Sequence, residues 1–242
     1  MIIRTMDKTK WSNLLNNNQH SVFQTTEWAD VQNGLTDDND NVWHPLYLVN
    51  NDWSGGMVLM ENQNHDAYES MFMGCYGGQI GNPVNLYELF STGLNYMRVV
   101  DYNKTMDCDG WQKKFVSTYL IDINDYELSN GRKDDLRKSK LAGIVIEQTE
   151  DIDKFYNYYL IAMGQFPNTI DIKTKDFFER LIKTKFAKFY FAVSGCKIMA
   201  ISVHLLYSGE IFNYISMAIS EYRNSGAITL ITKRIIEIFY IF

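Results

Sequence analysis

Apolar and polar positions along the chain repeat with two different periods, and the changes between them mark out its elements. In the last quarter, 188–193 (Lys-Phe-Tyr-Phe-Ala-Val), 198–207 and 210–218 are β-prone runs separated by Ser194-Gly195 and Ser208-Gly209 turns, and an apolar helical run follows Ala227 to the end. Ahead of them, Ile152, Phe155, Tyr156, Tyr159, Leu160 and Met163 recur at the i, i+3, i+4, i+7 interval, which predicts an amphipathic helix over 151–165 capped by Asp151. Another helix is expected over 174–185, with Phe177, Phe178, Leu181 and Ile182 facing inward. Residues 132–142 read as a helix stopped by Gly143, where a left-handed residue is tolerated, and 144–146 as a short strand.

The first half has the same helix-then-strands order. Helices are expected over 9–15 and 26–32, with Thr25 or Thr26 able to cap the second. Short strands follow over 46–49, 56–60 and 70–73, separated by Asn-rich turn clusters. From Pro83 to Tyr96 the spacing is that of an amphipathic helix, with Leu86, Leu89, Phe90, Leu94 and Met97 on one side, before a strand over 97–101. The polar stretch 102–112 reads as the passage between two domains, 1–112 and 113–242, and 114–123 returns to strand alternation. The fold class expected is α/β with mixed sheets.

Composition narrows the setting. With 242 residues, 46% of them hydrophobic and 14% aromatic, the chain can fill real cores. Cys75, Cys108 and Cys196 are an odd number without Cys-x-x-Cys spacing, which points away from a disulfide framework or a zinc site and towards a reducing compartment. No signal-peptide pattern opens the sequence, and no stretch approaches the ~20 apolar residues that span a bilayer, so a cytoplasmic location without a transmembrane segment is expected. A net charge of −6 disfavours broad polyanion binding and excludes DNA as an expected partner.

Three meandering strands that feed a helix through Glu221-Tyr-Arg-Asn-Ser-Gly-Ala227 resemble the GNAT acyltransferase superfamily, and within it the FemABX-like branch, which carries two such domains in tandem. Further support comes from 21–28 (Ser-Val-Phe-Gln-Thr-Thr-Glu-Trp), Gly74-Cys-Tyr-Gly-Gly78 and the basic segment 132–145, in the order such proteins show. The resemblance implies two tandem GNAT-like domains, the second short at its C-terminus because relatives continue with another strand. It implies an N-acyltransferase that moves an acyl or aminoacyl group onto an amine of a cell-envelope or sugar-linked precursor. No metal and no tightly bound cofactor are implied; aminoacyl-tRNA or acyl-CoA would serve as donor co-substrate, and the acceptor would be a small-molecule, lipid-linked or nucleotide-linked amine. The alternatives are an acetyl-CoA-dependent N-acetyltransferase and a catalytically degenerate binding or scaffold protein that keeps the fold. The apolar end, Ile238-Phe-Tyr-Ile-Phe242, is expected to pack inside or to pair two copies as a homodimer.

Acyl transfer needs a donor held still, a neutral nucleophile, and hydrogen-bond donors facing the oxygen that becomes negative. For the donor, Arg223, Asn224, Ser225, Gly226 and Ala227 resemble a GNAT pyrophosphate loop, with Ile228 where the pattern ends in Gly or Ala; an ordinary strand-to-helix turn is the bland alternative. For the oxyanion, the matching strand is 211–217, in which simple alternation puts Tyr214, Ser216 and Phe212 on one face and Asn213 and Ile215 on the other. His204, beside the small Ala200 and Ser202, is the candidate base, though a lone strand histidine is more often structural. Candidate substrate contacts are Lys173, Arg137 and Lys138, the Gly77, Gly78 and Gln79 strand exit, and Tyr222; a solvated helix face also explains the cations. A lysine that relatives can carry four residues after Trp28 is here Gln32.

Overall fold

A computed structural model describes residues 2–5, 7–37, 40–64, 67–70, 77–86, 96–100, 112, 122, 126–166 and 172–240. The chain divides into two compact units, Met1–Trp111 and Gln112–Phe242.

In the first unit, β1 (Ile2–Thr5), β3 (Val42–Asn50), β4 (Gly55–Asn62), β5 (Ala67–Glu69) and β7 (Tyr96–Arg98) follow one another across a sheet, with β2 (Leu35–Thr36) on β3 and β6 (Gln79–Gly81) on β4. All pairings are antiparallel except β5 with β7. The period-2 alternation of β3 and β4 supplies two cores. Tyr47, Val49 and Val58 meet Trp11, Leu14 and Leu15 of α1 (Lys8–Asn16) and Ala29 of α2 (Thr26–Gln32). Leu46, Leu48, Met57 and Leu59 point the other way, to Tyr68, Val84 and Leu86. Side-chain caps start both helices: Asp7 accepts from the Lys10 amide, and Thr25, rather than Thr26, from that of Trp28.

Two expectations for this unit change. The strand expected over 70–73 is instead β5, with Ser70 already in a turn, and 71–73 lie outside the described residues. Residues 83–86 are not helical and Tyr96 belongs to β7; the rest of the helix expected there lies outside the described residues. Of the inter-domain passage expected over 102–112 all but Gln112, and of the strand expected over 114–123 all but Asp122, also lie outside the described residues.

The second unit is an antiparallel sheet in the order β11 (Glu210–Ala218), β10 (Lys197–Tyr207), β9 (Ala187–Ser194), β8 (Val145–Thr149). Against one face, α4 (Ile152–Met163) and α5 (Lys175–Leu181) bring Phe155 and Phe178 onto Phe189, with ring centroids at 4.9 and 6.2 Å. Against the other, Ala227, Ile231 and Ile235 of α6 (Ala227–Tyr240) pack on Tyr190, Ala192 and Ala200. α5 ends four residues earlier than the apolar pattern predicts. The Lys183 and Thr184 amides bond back three residues, and the Thr184 hydroxyl takes the Leu181 carbonyl, so the last turn tightens and closes.

α3 (Asn130–Leu141) finishes at Gly143 as its sequence predicts. Gly143 has φ +62°, and the Gly143 and Ile144 amides return to the Lys140 and Ser139 carbonyls. Ile144 is spent on this cap, and β8 starts one residue later. Only Ser139 of α3 is buried, so very little apolar surface holds this helix.

Candidate functional site

The strand that carries the oxyanion expectation does not alternate simply. β10 pairs with β11 as Val203↔Ile215 and then His204↔Asn213, so Tyr214 is an extra residue in β11, a β-bulge. The bulge overturns the expected grouping of Tyr214 with Ser216. An inserted residue reverses side-chain parity downstream of it, which brings Asn213 to the side of Ser216, where the Ser216 hydroxyl donates to Asn213 Oδ1 at 2.5 Å. Tyr214 instead lies near Phe177 of α5, ring centroids 6.1 Å apart.

A polar chain flanks the bulge. The Ser202 hydroxyl donates to the Ile215 carbonyl at 2.8 Å and lies 2.7 Å from Ser216 Oγ. His204 Nδ1 lies 3.1 Å from Ser202 Oγ, within hydrogen-bond distance. His204 Nε2 is buried and without a hydrogen-bond partner among the described residues. The imidazole is 1% exposed, and burial pushes its pKa down to about 4. His204 and Ser216 are therefore brought together through Ser202, with His204 neutral and closed to solvent.

The loop from Arg223 to Ala227 is occupied by its own neighbours. Arg223 donates through Nε and Nη2 to Gln165 Oε1, at 3.1 and 2.8 Å, and its guanidinium stands 5.7 Å over the Phe166 ring. Gln165 in turn donates to the Ala218 carbonyl at 3.4 Å, at the end of β11. Asn224 is exposed, Ser225 accepts from the Ala227 amide at 3.3 Å, and Ala227 is buried. Gly226 has φ +78°, and a Cβ built on it would stand 2.0 Å from the Asp135 carbonyl oxygen of α3. The absent side chain is thus filled by the backbone of another helix. Arg132 and Asp135 close the same seam, Arg132 donating to the Thr229 hydroxyl at 2.9 Å and that hydroxyl to Asp135 Oδ2 at 3.1 Å. Tyr222 is half-buried against the α6 core.

The remaining candidates are spread out. Arg137 and Lys138 pair with Asp134 at 2.8 and 3.2 Å on an exposed face, and the Arg137 and then Lys138 hydrogen bonds hold the Asp134 carboxyl below its usual range. Lys173 donates its main-chain N–H to the Tyr159 hydroxyl at 2.9 Å, tying the start of α5 to α4. In the first unit, Gln24 Nε2 donates to the Gly77 and Gly78 carbonyls, and a Cβ on Gly77 would meet the Ser70 carbonyl at 2.6 Å. Gln79 accepts from the Val84 amide at 3.2 Å. Among the described residues no three His, Cys, Asp or Glu side chains converge as metal ligands would. Ser202, Gln165, Asp135 and Thr229 escape a residue-by-residue reading because each acts through a partner distant in sequence, and Asn213 because the bulge beside it is set by pairing with β10.

No protein-family model and no curated protein sequence matches the chain. Solved structures do. FemX aligns with 99% of this chain and 86% of its own, at 8% identity and a TM-score of 0.63. The C-terminal domain of a protein described as a lysylphosphatidylglycerol synthetase, from Agrobacterium fabrum, aligns with 96% of this chain and 73% of its own, at 11% identity and a TM-score of 0.59. The chain has a GNAT-like fold. The expected fold class and resemblance therefore hold at the level of architecture. Within that fold, β9 to β11 and α6 are the strands and helix on which the donor and oxyanion expectations were placed.

Proposed function

We propose that this chain is an N-acyltransferase that moves an aminoacyl group from a charged tRNA to an amine of a cell-envelope or sugar-linked precursor. The observation that carries the reading is the likeness over nearly the whole chain to FemX and to a domain of a protein named for making lysylphosphatidylglycerol. In the reaction a neutral amine nitrogen attacks the acyl carbonyl carbon. A C–N bond forms, the C–O bond to the donor ribose breaks, and the proton leaving nitrogen passes to the departing oxygen. The bulge at Tyr214 interrupts the regular β10–β11 register within the strand that matches the oxyanion strand of the resemblance. His204 is a positioning residue in this reading: neutral and sealed, it braces Ser202 and through it the bulge.

A coenzyme A donor is the less favoured reading. Arg223 is committed to Gln165, Gly226 to Asp135, and Ile228 stands where the loop pattern needs a small residue. Thermal-shift titration separates the two readings, since a ligand at one hundred times its dissociation constant stabilises by about 2.7 kcal/mol. Charged tRNA is expected to raise the melting temperature and coenzyme A to leave it unchanged; the reverse would replace this reading with the coenzyme A one.

A further inference from the structure

The charge of the chain is uneven, and one helix carries its positive excess. Residues 1–111 hold 5 Lys and Arg against 14 Asp and Glu, and residues 112–242 hold 18 against 15. Within α3 the figures are five against two, so the surplus of the second unit is the surplus of this helix. Its charges divide by face. Arg132 and Asp135 turn to α6 and are used in the seam at Thr229. Lys133, Arg137, Lys138 and Lys140 are exposed, and helical spacing (i, i+4, i+7) sets Lys133, Arg137 and Lys140 in one row roughly 10 Å long. Asp134 pairs with Arg137 and Lys138 at 2.8 and 3.2 Å, while Lys133 and Lys140 have no ion pair among the described residues.

This row does not hold the helix in place, since the ties to α6 come from the other face and exposed ion pairs add little to stability. Lys133 and Arg137 even stand at i, i+4, where like charges repel. What the row complements is a line of negative charge. Its place in the fold narrows the choice: the Asp135 carbonyl of the same helix fills the space at Gly226, so α3 lies against the loop on which the donor expectation rests. A bilayer surface would draw on several apolar side chains as well, and α3 exposes one, Leu141, at its C-terminal end. A phosphodiester strand needs the cations alone, and releases its bound counterions to them.

We propose that the Lys133, Arg137 and Lys140 row of α3 binds the phosphate backbone of an RNA, the tRNA that serves as donor. This rests on the reading of charged tRNA as donor. The test is fluorescence anisotropy of labelled, uncharged tRNA titrated with the full chain between about 50 and 200 mM salt. Lys133→Ala/Lys140→Ala removes two cations from the row; Lys183→Ala/Lys185→Ala removes the same charge from exposed positions outside α3. The α3 variant is expected to bind at least about tenfold more weakly at the lower salt, with a log–log salt slope shallower by about 2, and the control variant to stay within about twofold of the unaltered chain. Should the α3 variant fail to fold, Lys133→Gln/Lys140→Gln removes the same charge with the side-chain bulk kept. Equal losses in the two variants, no saturable binding by the unaltered chain, or α3-dependent binding to phosphatidylglycerol vesicles without binding to tRNA would overturn the proposal. Uncharged tRNA carries no aminoacyl group, so the two claims fail separately. RNA binding that depends on the row, without aminoacyl transfer from charged tRNA, would remove the transferase reading and leave the row as an RNA site. Transfer from charged tRNA that is indifferent to the α3 variant would overturn the row and leave that reading.

Discussion

Gly226 and Gly143 both hold left-handed backbone, yet they answer to different neighbours, and replacing each tests how the second unit is held together. A Cβ on Gly143 meets nothing within 4 Å, so Gly143→Ala costs only the backbone strain, about 1 kcal/mol. At Gly226 the same strain is joined by a collision with the Asp135 carbonyl, and Gly226→Ala is expected to cost roughly 3 kcal/mol or more, with α3 displaced. Urea unfolding of the two variants measures the difference, and equal midpoints would show that α3 does not sit on this glycine. His204 gives a second residue-scale prediction. Its folded pKa lies near 4, below the ~6.5 of an unfolded histidine, so the unfolded chain binds the extra proton first. Stability from this group is intact above about pH 6.5 and falls as pH drops towards 4, by roughly 1 kcal/mol per unit. His204→Gln should flatten that part of the stability–pH curve; an unchanged slope would mean that the imidazole is already charged or exposed in the native state.

At the scale of elements, the bulge in β11 is the feature on which positioning depends. Ser202→Ala leaves the Ile215 carbonyl without its side-chain donor and is expected to cost about 1–3 kcal/mol, with faster amide exchange across β11 than across β9. Uniform exchange in the two strands would separate Ser202 from the bulge. The boundaries of β9, β10 and β11 were legible because alternation, turn residues and a meander all agree there, and α3 and α4 because their caps are local. The parity of Tyr214 was not legible, since a bulge is set by pairing with the neighbouring strand and no single run of residues contains it. Tyr96 misled for a related reason: it fits a helical spacing, yet pairing with β5 places it in a strand.

For the molecule as a whole, the sequence carried the GNAT-like architecture through the order of its elements, while the condition of the donor loop came only from contacts across the second unit. Arg223 and Gln165 lie 58 residues apart, and Asp135 and Thr229 94, so their pairings could not be read from a motif that names the loop alone. The loop pattern points to a diphosphate, whereas the contacts point to a loop held by its own fold. Releasing that hold should change ligand preference: Gln165→Ala frees the Arg223 guanidinium and is expected to increase affinity for coenzyme A, measured by calorimetry, where no gain would show that Gly226 and Ile228 suffice to exclude it. The central claim is tested most directly by incubating the full chain with tRNA charged with a labelled amino acid and a panel of nucleotide-linked and lipid-linked amines, and reading products by mass. An acceptor heavier by one aminoacyl residue, formed only when chain and charged tRNA are both present, is the predicted result. Transfer from acyl-CoA with none from charged tRNA would contradict it.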